Sequence, residues 1–232
     1  MSSVPSAQVC VSSSAATALG VVSSKAHFWD RIAPKYAADR IADYAGYETT
    51  LHRVQSLLSV QQDVMEVGCG TGSTALRLAP FARSLLATDV SPQMISIARQ
   101  RLAAQPTPQL SFAVADAEGE AQGAGVYHAV LAFNVLHLMT DLDGALRQLV
   151  QSLRPGGLLI TKTACIAEMN PLVPYVAVPL MRALGKVPPV LILKAQHLLS
   201  AMVRQQLEIV CSERHGTQGR DIRAFVVARK PG

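Results

Sequence analysis

The stretch VMEVGCGTG, Val64 to Gly72, decides the fold. A short apolar run leads into glycines at alternate positions, Gly68, Gly70 and Gly72. The run reads as a buried strand and the glycines as the turn that leaves it. In an open parallel sheet, ligands bind beyond the carboxyl ends of the strands, and the first strand-to-helix turn is the usual place. Gly68 lets the chain turn sharply out of the strand. Gly70 removes a side chain where a ligand would lie against backbone, and Gly72 lets helix and sheet approach closely.

Outward from this turn, strand and helix patterns alternate. The helical segment GSTALRLAPFA is followed by the strand SLLATDV and by the helix SPQMISIARQRLAAQ, with Ser91 as its cap and Pro92 at its first position. LSFAVAD and HAVLAFNV read as strands, DLDGALRQLVQSL as a helix capped by Asp141, and GLLITKTAC as a strand after the turn Arg154–Gly157. Strands alternating with helices imply a parallel sheet covered on both faces. The late strands LEIVCSERH and RAFVVARK are close enough to pair antiparallel across GTQGR. Before the glycine turn, Ala26 to Leu58 is helical, with Pro34 and Gly46 as punctuation and Leu51, Val54, Leu57 and Leu58 on one face.

The 232 residues suit one core with attachments. Residues 1–24 are expected to be a flexible tail, 25–60 a helical cap, and 61–232 the core, with an apolar insertion at about 167–200. The tail carries eight serines and no basic residue before Lys25, which excludes the basic start of a secretory signal. Half the residues are hydrophobic and 16% are charged, which argues for a globular chain. No run of 18 apolar residues exists to span a membrane. Cys10, Cys69, Cys165 and Cys211 are far apart and lack metal-ligand spacing, so neither a disulfide framework nor a structural metal is expected, and a reducing cytoplasm fits best. The net charge of +5 is spread along the chain without a basic run, so nucleic acid is an unfavoured partner.

The glycine turn fails two phosphate-binding patterns. Ser73 stands where a dinucleotide fingerprint needs its last Gly or Ala, and no lysine follows Gly72 as a Walker loop requires. A nucleoside without phosphate is the alternative. Asp89, ending the second strand, could accept from both ribose hydroxyls. Asp116 and Ala117, ending the third, offer a carboxylate and a backbone amide to an adenine. Glu66, a buried carboxylate beside the turn, suits a cationic ligand.

Together, Val64–Gly72, Ala87–Val90, Ala115–Ala117, Phe133–His137 and Leu153–Gly157 resemble the successive motifs of class I S-adenosylmethionine-dependent methyltransferases, in particular the small-molecule branch typified by quinone-biosynthesis enzymes. The resemblance covers roughly residues 25–165 and the terminal strand pair. It implies an α/β, Rossmann-like, seven-stranded, mostly parallel sheet with helices on both faces, an antiparallel last strand and a helical N-terminal lid. It also implies that the glycine turn cradles the methionine and ribose, that Asp89 holds the ribose, that Asp116 and Ala117 hold adenine, and that backbone near Asn134 receives the methionine amino group. The cofactor contacts expected from it are Glu66, Gly68, Cys69, Gly70, Thr71, Gly72, Asp89, Val90, Met94, Asp116, Ala117, Asn134 and Tyr36. Tyr127-His128 and the loop GEAQGAG depart from the family pattern, at strand ends away from these contacts.

The expected reaction is methyl transfer by in-line displacement, which needs alignment and no metal. His137 is the candidate general base, with a packed, structural histidine as the alternative. Trp29 and Tyr36, in the segment resembling the family's lid, could shield a sulfonium by cation-π contact. The clusters PLVPYVAVPLM and VPPVLIL, with Arg182, Lys186 and Lys194 nearby, could line a pocket for a small apolar acceptor. They could equally rest on an anionic membrane, as in a peripheral lipid methyltransferase, or pack as an ordinary subdomain. A non-catalytic S-adenosylmethionine-binding protein and a dinucleotide oxidoreductase are the other readings weighed.

Overall fold

A computed structural model of the chain describes residues 13–185, 187–217 and 222–232, with side chains from residue 25 onward. Two helices, α1 (Ser13–Ala38) and α2 (Tyr44–Gln55), lead into β1 (Asp63–Val67), α3 (Ser73–Leu78), β2 (Ser84–Asp89), α4 (Pro92–Ala104) and β3 (Leu110–Val114). There follow β4 (Tyr127–Phe133), α5 (Leu142–Ser152), β5 (Leu153–Ala164), α6 (Val178–Ala183), α7 (Ala195–Arg204), β6 (Glu208–Glu213) and β7 (Arg223–Arg229). The seven strands form one sheet in the order β3-β2-β1-β4-β5-β7-β6. Pairings from β3 through to β5 are parallel, and β7 runs antiparallel to both β5 and β6. This is the α/β architecture expected from the strand-helix alternation.

Because helices cover both faces, β1 is buried on both sides rather than alternating polar and apolar. Val64 joins a core with Leu51 and Val54 of α2, Leu78 of α3, and Ile95 and Ala98 of α4. Met65, pointing the other way, joins Leu146 and Leu149 of α5 and Leu198 and Met202 of α7. The order of connections reverses between β1 and β4, so the crevice beyond their carboxyl ends is the switch point where such sheets bind ligands.

Local signals explain several element boundaries, and others are corrected. Ser91 caps α4, its Oγ accepting from the Met94 amide at 3.0 Å, with Pro92 at the first helical position. The α1 helix begins at Ser13, inside the stretch expected to be a tail, while residues 1–12, with Cys10, lie outside the described residues. Pro34 lies inside α1, near its end, where the missing N–H costs one helical bond rather than the helix. Asp141 occupies the cap position of α5 without making a side-chain cap bond. The third strand ends at Val114, so Asp116 and Ala117 stand in the loop beyond it. Arg154–Gly157 falls within β5 as an irregularity: Tyr127 faces Leu153, and Ala129 already faces Leu158. Part of the expected turn GTQGR lies outside the described residues, as does Lys186.

Candidate functional site

The three glycines of the first turn all have positive φ: 65° at Gly68, 53° at Gly70 and 77° at Gly72. Their missing side chains do different work. A Cβ on Gly68 would lie 2.4 Å from Val135, and one on Gly72 would lie 2.6 Å from Phe112 and 3.0 Å from the Ala98 Cβ. These two glycines let the turn between β1 and α3 pack against the segment after β4, β3 and α4. A Cβ on Gly70 would meet only the Tyr36 ring, at 3.5 Å. There the bare backbone faces open space.

That space is a cavity of about 420 Å³ at the switch point. The carboxyl ends of β1, β2 and β4 and the loop after β3 form its floor, contributing Glu66, Gly68, Cys69, Gly70, Asp89, Val90, Asp116, Ala117 and Asn134; Met94 of α4 adds to the wall. Tyr36 lines it from α1, together with Trp29, Phe28 and Lys25. Eleven of the thirteen cofactor contacts expected from the sequence are thus brought together around one cavity. Thr71 and Gly72 do not line it. Thr71 is buried and receives the Arg101 guanidinium at 2.8 Å, which pins the glycine turn to α4.

Asp89 organises the turn as well as lining the cavity. One carboxylate oxygen accepts from the Gly70 amide at 2.9 Å, the other from the Ser91 amide at 2.9 Å. Burial raises its pKa, and those two amides pull it back. Each oxygen retains a second lone pair for a ligand hydroxyl. Glu66 differs. It is 2% exposed, its Oε2 has no hydrogen-bond partner among the described residues, and burial followed by the Asp89 charge pushes its pKa up to about 8. An orphaned buried carboxyl oxygen beside a side-chain-free turn fits a ligand that brings its own donor or positive charge.

Asp116 accepts from the Glu118 amide at 3.0 Å, and the Lys25 ammonium pairs with Glu118 and stands 3.9 Å from Asp116. The α1 helix is anchored again at Asp30, whose Oδ1 accepts from the Ser91 hydroxyl at 2.5 Å and the Gln93 amide at 3.0 Å. Over the cavity mouth Trp29 makes edge contacts with Phe28 and Tyr36, at centroid distances of 5.3 and 6.5 Å. Sequence reading missed Lys25, Asp30 and Arg101, because their roles depend on the long-range docking of α1 on α4 and on the loop after β3. No local motif announces it.

His137 lies in the short helical turn Leu136–Leu138 after β4. Its imidazole is not among the cavity-lining groups, and its Nδ1 is buried without a partner among the described residues. Burial and the Arg223 charge lower its pKa to about 4. Its carbonyl accepts from the Leu191 amide at 2.7 Å, tying the turn after β4 to the insertion. From the insertion, Arg182, Val187, Pro188 and Pro189 reach the cavity, whereas Leu172, Tyr175, Val176, Leu180 and Leu184 are exposed. Tyr127 and His128 begin β4, at the end of the sheet away from the cavity.

Known proteins are similar to parts of this chain and to its fold. A family model described as a methyltransferase domain matches residues 65–159. The iterative polyketide synthase afoE of Emericella nidulans is 38% identical over 124 residues, which cover 49% of this chain and 4% of that protein. The magnesium-protoporphyrin O-methyltransferase of Rhodobacter capsulatus is 35% identical over 86 residues, 37% of this chain and 38% of that one. The chain therefore spans well under half of each of these relatives. An S-adenosylmethionine-dependent methyltransferase structure from Mesorhizobium loti superposes with a TM-score of 0.65 at 19% identity, covering 80% of this chain and 98% of that one. Residues 65–159, from β1 through the glycine turn and into β5, are thus similar to a methyltransferase domain, and the superposition shows a shared fold.

Proposed function

We propose that the protein transfers a methyl group from S-adenosylmethionine to a small, largely apolar acceptor by in-line displacement. The observation that carries this reading is the cavity in which the bare Gly70 backbone, Asp89 and the unpartnered Glu66 meet. The cosubstrate supplies a sulfonium methyl; as the new bond forms, the carbon–sulfur bond breaks, sulfur keeps the electron pair and S-adenosylhomocysteine leaves. The chain's residues bind, orient and exclude water. Asp89 would accept from the ribose hydroxyls, Gly70 would admit the nucleoside against main chain, and Asp116 with Ala117 would face the adenine. Glu66 would answer the positive charge of the methionine portion, with Asn134 contributing backbone nearby. Trp29 and Tyr36 would cover the methyl donor from α1, which with α2 forms the proposed cap. His137 lies outside the lining and has no assigned part in proton transfer.

Isotopically labelled S-adenosylmethionine, incubated with the protein and cell extract and followed by mass spectrometry, is expected to label one small molecule. Calorimetry that detects no binding of either S-adenosylmethionine or S-adenosylhomocysteine by folded protein would overturn the proposal. A second reading, a methyltransferase working at a lipid surface, is favoured by the exposed Leu172, Tyr175, Val176, Leu180 and Leu184 beside exposed Arg182 and Lys194. No helix among the described residues is long and apolar enough to cross a membrane, so such contact would be peripheral.

A further inference from the structure

The helix α6 and the helical turn Val173–Ala177 before it carry an outward apolar stripe. Leu172, Val176, Leu180 and Leu184 recur at every fourth position, which sets them side by side. Each of them, and Tyr175 beside them, is more than half exposed. None of the residues of α6 is buried. A helix this short is held by what covers its apolar face, so a face left open to water calls for a partner.

The charge around the stripe decides what fits it. From Met169 to Leu207 the chain has no Asp or Glu, against Arg182, Lys186, Lys194 and Arg204. Arg204 pairs with Asp143, whereas Arg182 and Lys194 are exposed. Glu168, the acid just before this stretch, is engaged by Arg214 and by the Ala195 amide. A further exposed cation arrives from α1, where Arg31 donates to the Gly185 carbonyl at 2.9 Å. A second copy docked through the same patch would set like charges against each other. An anionic bilayer takes up both parts, the leucines among its acyl chains and the cations among its headgroups.

The same insertion sends Arg182, Val187, Pro188 and Pro189 to the first cavity, and Arg182 stands between Leu180 and Leu184 in the sequence. The stripe therefore borders the cavity mouth. A second cavity, of about 310 Å³, adjoins the first and shares Thr74, Phe133 and Asn134 with it, so one edge of the sheet carries both. Val126, also exposed, precedes β4 at the opposite edge.

We propose that the insertion seats the protein on anionic lipid with the carboxyl edge of the sheet facing the bilayer, and that the methyl acceptor is a lipid-dissolved molecule entering from the membrane. The inference deepens the lipid-surface reading above by fixing the orientation, and its statement about the acceptor rests on the methyltransferase reading.

The test uses the full chain and vesicles of phosphatidylcholine with and without phosphatidylglycerol. Partition onto the anionic vesicles is expected to be at least about tenfold tighter than onto the neutral ones, and Arg182→Gln with Lys194→Gln is expected to remove most of that preference. Trp29 is the only tryptophan, so in a Trp29→Phe background a single reporter can be placed at either edge. Fluorescence of Leu180→Trp is expected to be quenched by phospholipids brominated along their acyl chains, and that of Val126→Trp is not. Label from isotopic S-adenosylmethionine is expected in the organic extract of membranes. Wild-type protein left in solution, equal partition onto both vesicles, or quenching at Val126 instead of Leu180 would overturn the orientation. So would sedimentation showing a dimer that ignores lipid, which would assign the stripe to a second copy. Label confined to the aqueous fraction would overturn the acceptor class. Calorimetry showing no S-adenosylhomocysteine binding would strike the methyltransferase reading and leave the docking result standing.

Discussion

Gly68 and Gly70 stand two residues apart and both have positive φ, 65° and 53°, yet replacement by alanine is expected to have opposite consequences. Alanine at Gly70 incurs the left-handed strain of about 1–2 kcal/mol and projects its methyl into the cavity. The melting temperature is expected to fall by only a few degrees, while S-adenosylhomocysteine affinity falls at least about tenfold. Alanine at Gly68 adds a collision with Val135 to the same strain, so thermal melting should show the larger loss. Asp89→Ala removes a carboxylate that also holds the Gly70 and Ser91 amides. Calorimetry is expected to show a loss of about 2–4 kcal/mol in cosubstrate affinity, and a change of a few tenths would contradict the placement of the ribose. The left-handed turn at Gly68 and Gly70 was legible from spacing alone, because alternating glycines after a buried strand admit few geometries. The orphaned state of Glu66 was not, since it depends on which side chains fail to reach it.

Glu66 also sets a pH dependence. Its folded-state pKa of about 8 lies above its ordinary value of 4.5, so the folded, ligand-free protein holds a proton that the unfolded chain releases. Stability from this group is therefore greatest below the ordinary value and declines as pH rises from there through about 8. A cationic ligand favours the ionised form. Binding at pH 7 is accordingly expected to release a proton, visible as an enthalpy that varies with the ionisation heat of the buffer. A buffer-independent enthalpy would show that Glu66 does not ionise in the complex.

At the scale of elements, the cavity lined by Gly70 and Asp89 is closed by the docking of α1 on α4 through Asp30 and Arg101. Arg101 donates to the Thr71 and Ser73 hydroxyls and to the Ala37 carbonyl, joining the glycine turn to the end of α1 without lining the cavity. Arg101→Met is expected to speed hydrogen exchange in α1 and to weaken cosubstrate binding, with β4 and β5 unaffected; unchanged exchange would mean that α1 is held some other way. Strands and helices of the sheet were readable from the sequence, each carrying its own periodicity and caps. The beginning of α1 was not. A charge-free, serine-rich segment lacks the amphipathic pattern by which a surface helix is recognised.

Over the whole molecule, the two cavities lie side by side at the carboxyl edge of one sheet, and the insertion between β5 and β6 turns much of its apolar surface outward. The sequence had suggested an acceptor pocket built from that insertion. Four of its residues line the cavity that holds Gly70 and Asp89, while the adjoining cavity is built from α2, β4, β5 and β7 and the segments around them, a juxtaposition set by strand order and invisible to local motifs. If the exposed face meets lipid, the protein will float with anionic vesicles and Leu180→Asp with Leu184→Asp will abolish flotation. Wild-type protein remaining wholly in solution would contradict membrane contact.

The most direct measurement is a crystal structure with S-adenosylhomocysteine bound. The expected result places its ribose hydroxyls on the Asp89 carboxylate, its adenine beside Asp116 and Ala117, and its chain against the Gly70 backbone. A nucleoside bound elsewhere, or Asp89 turned away from the sugar, would contradict the assignment of the cavity.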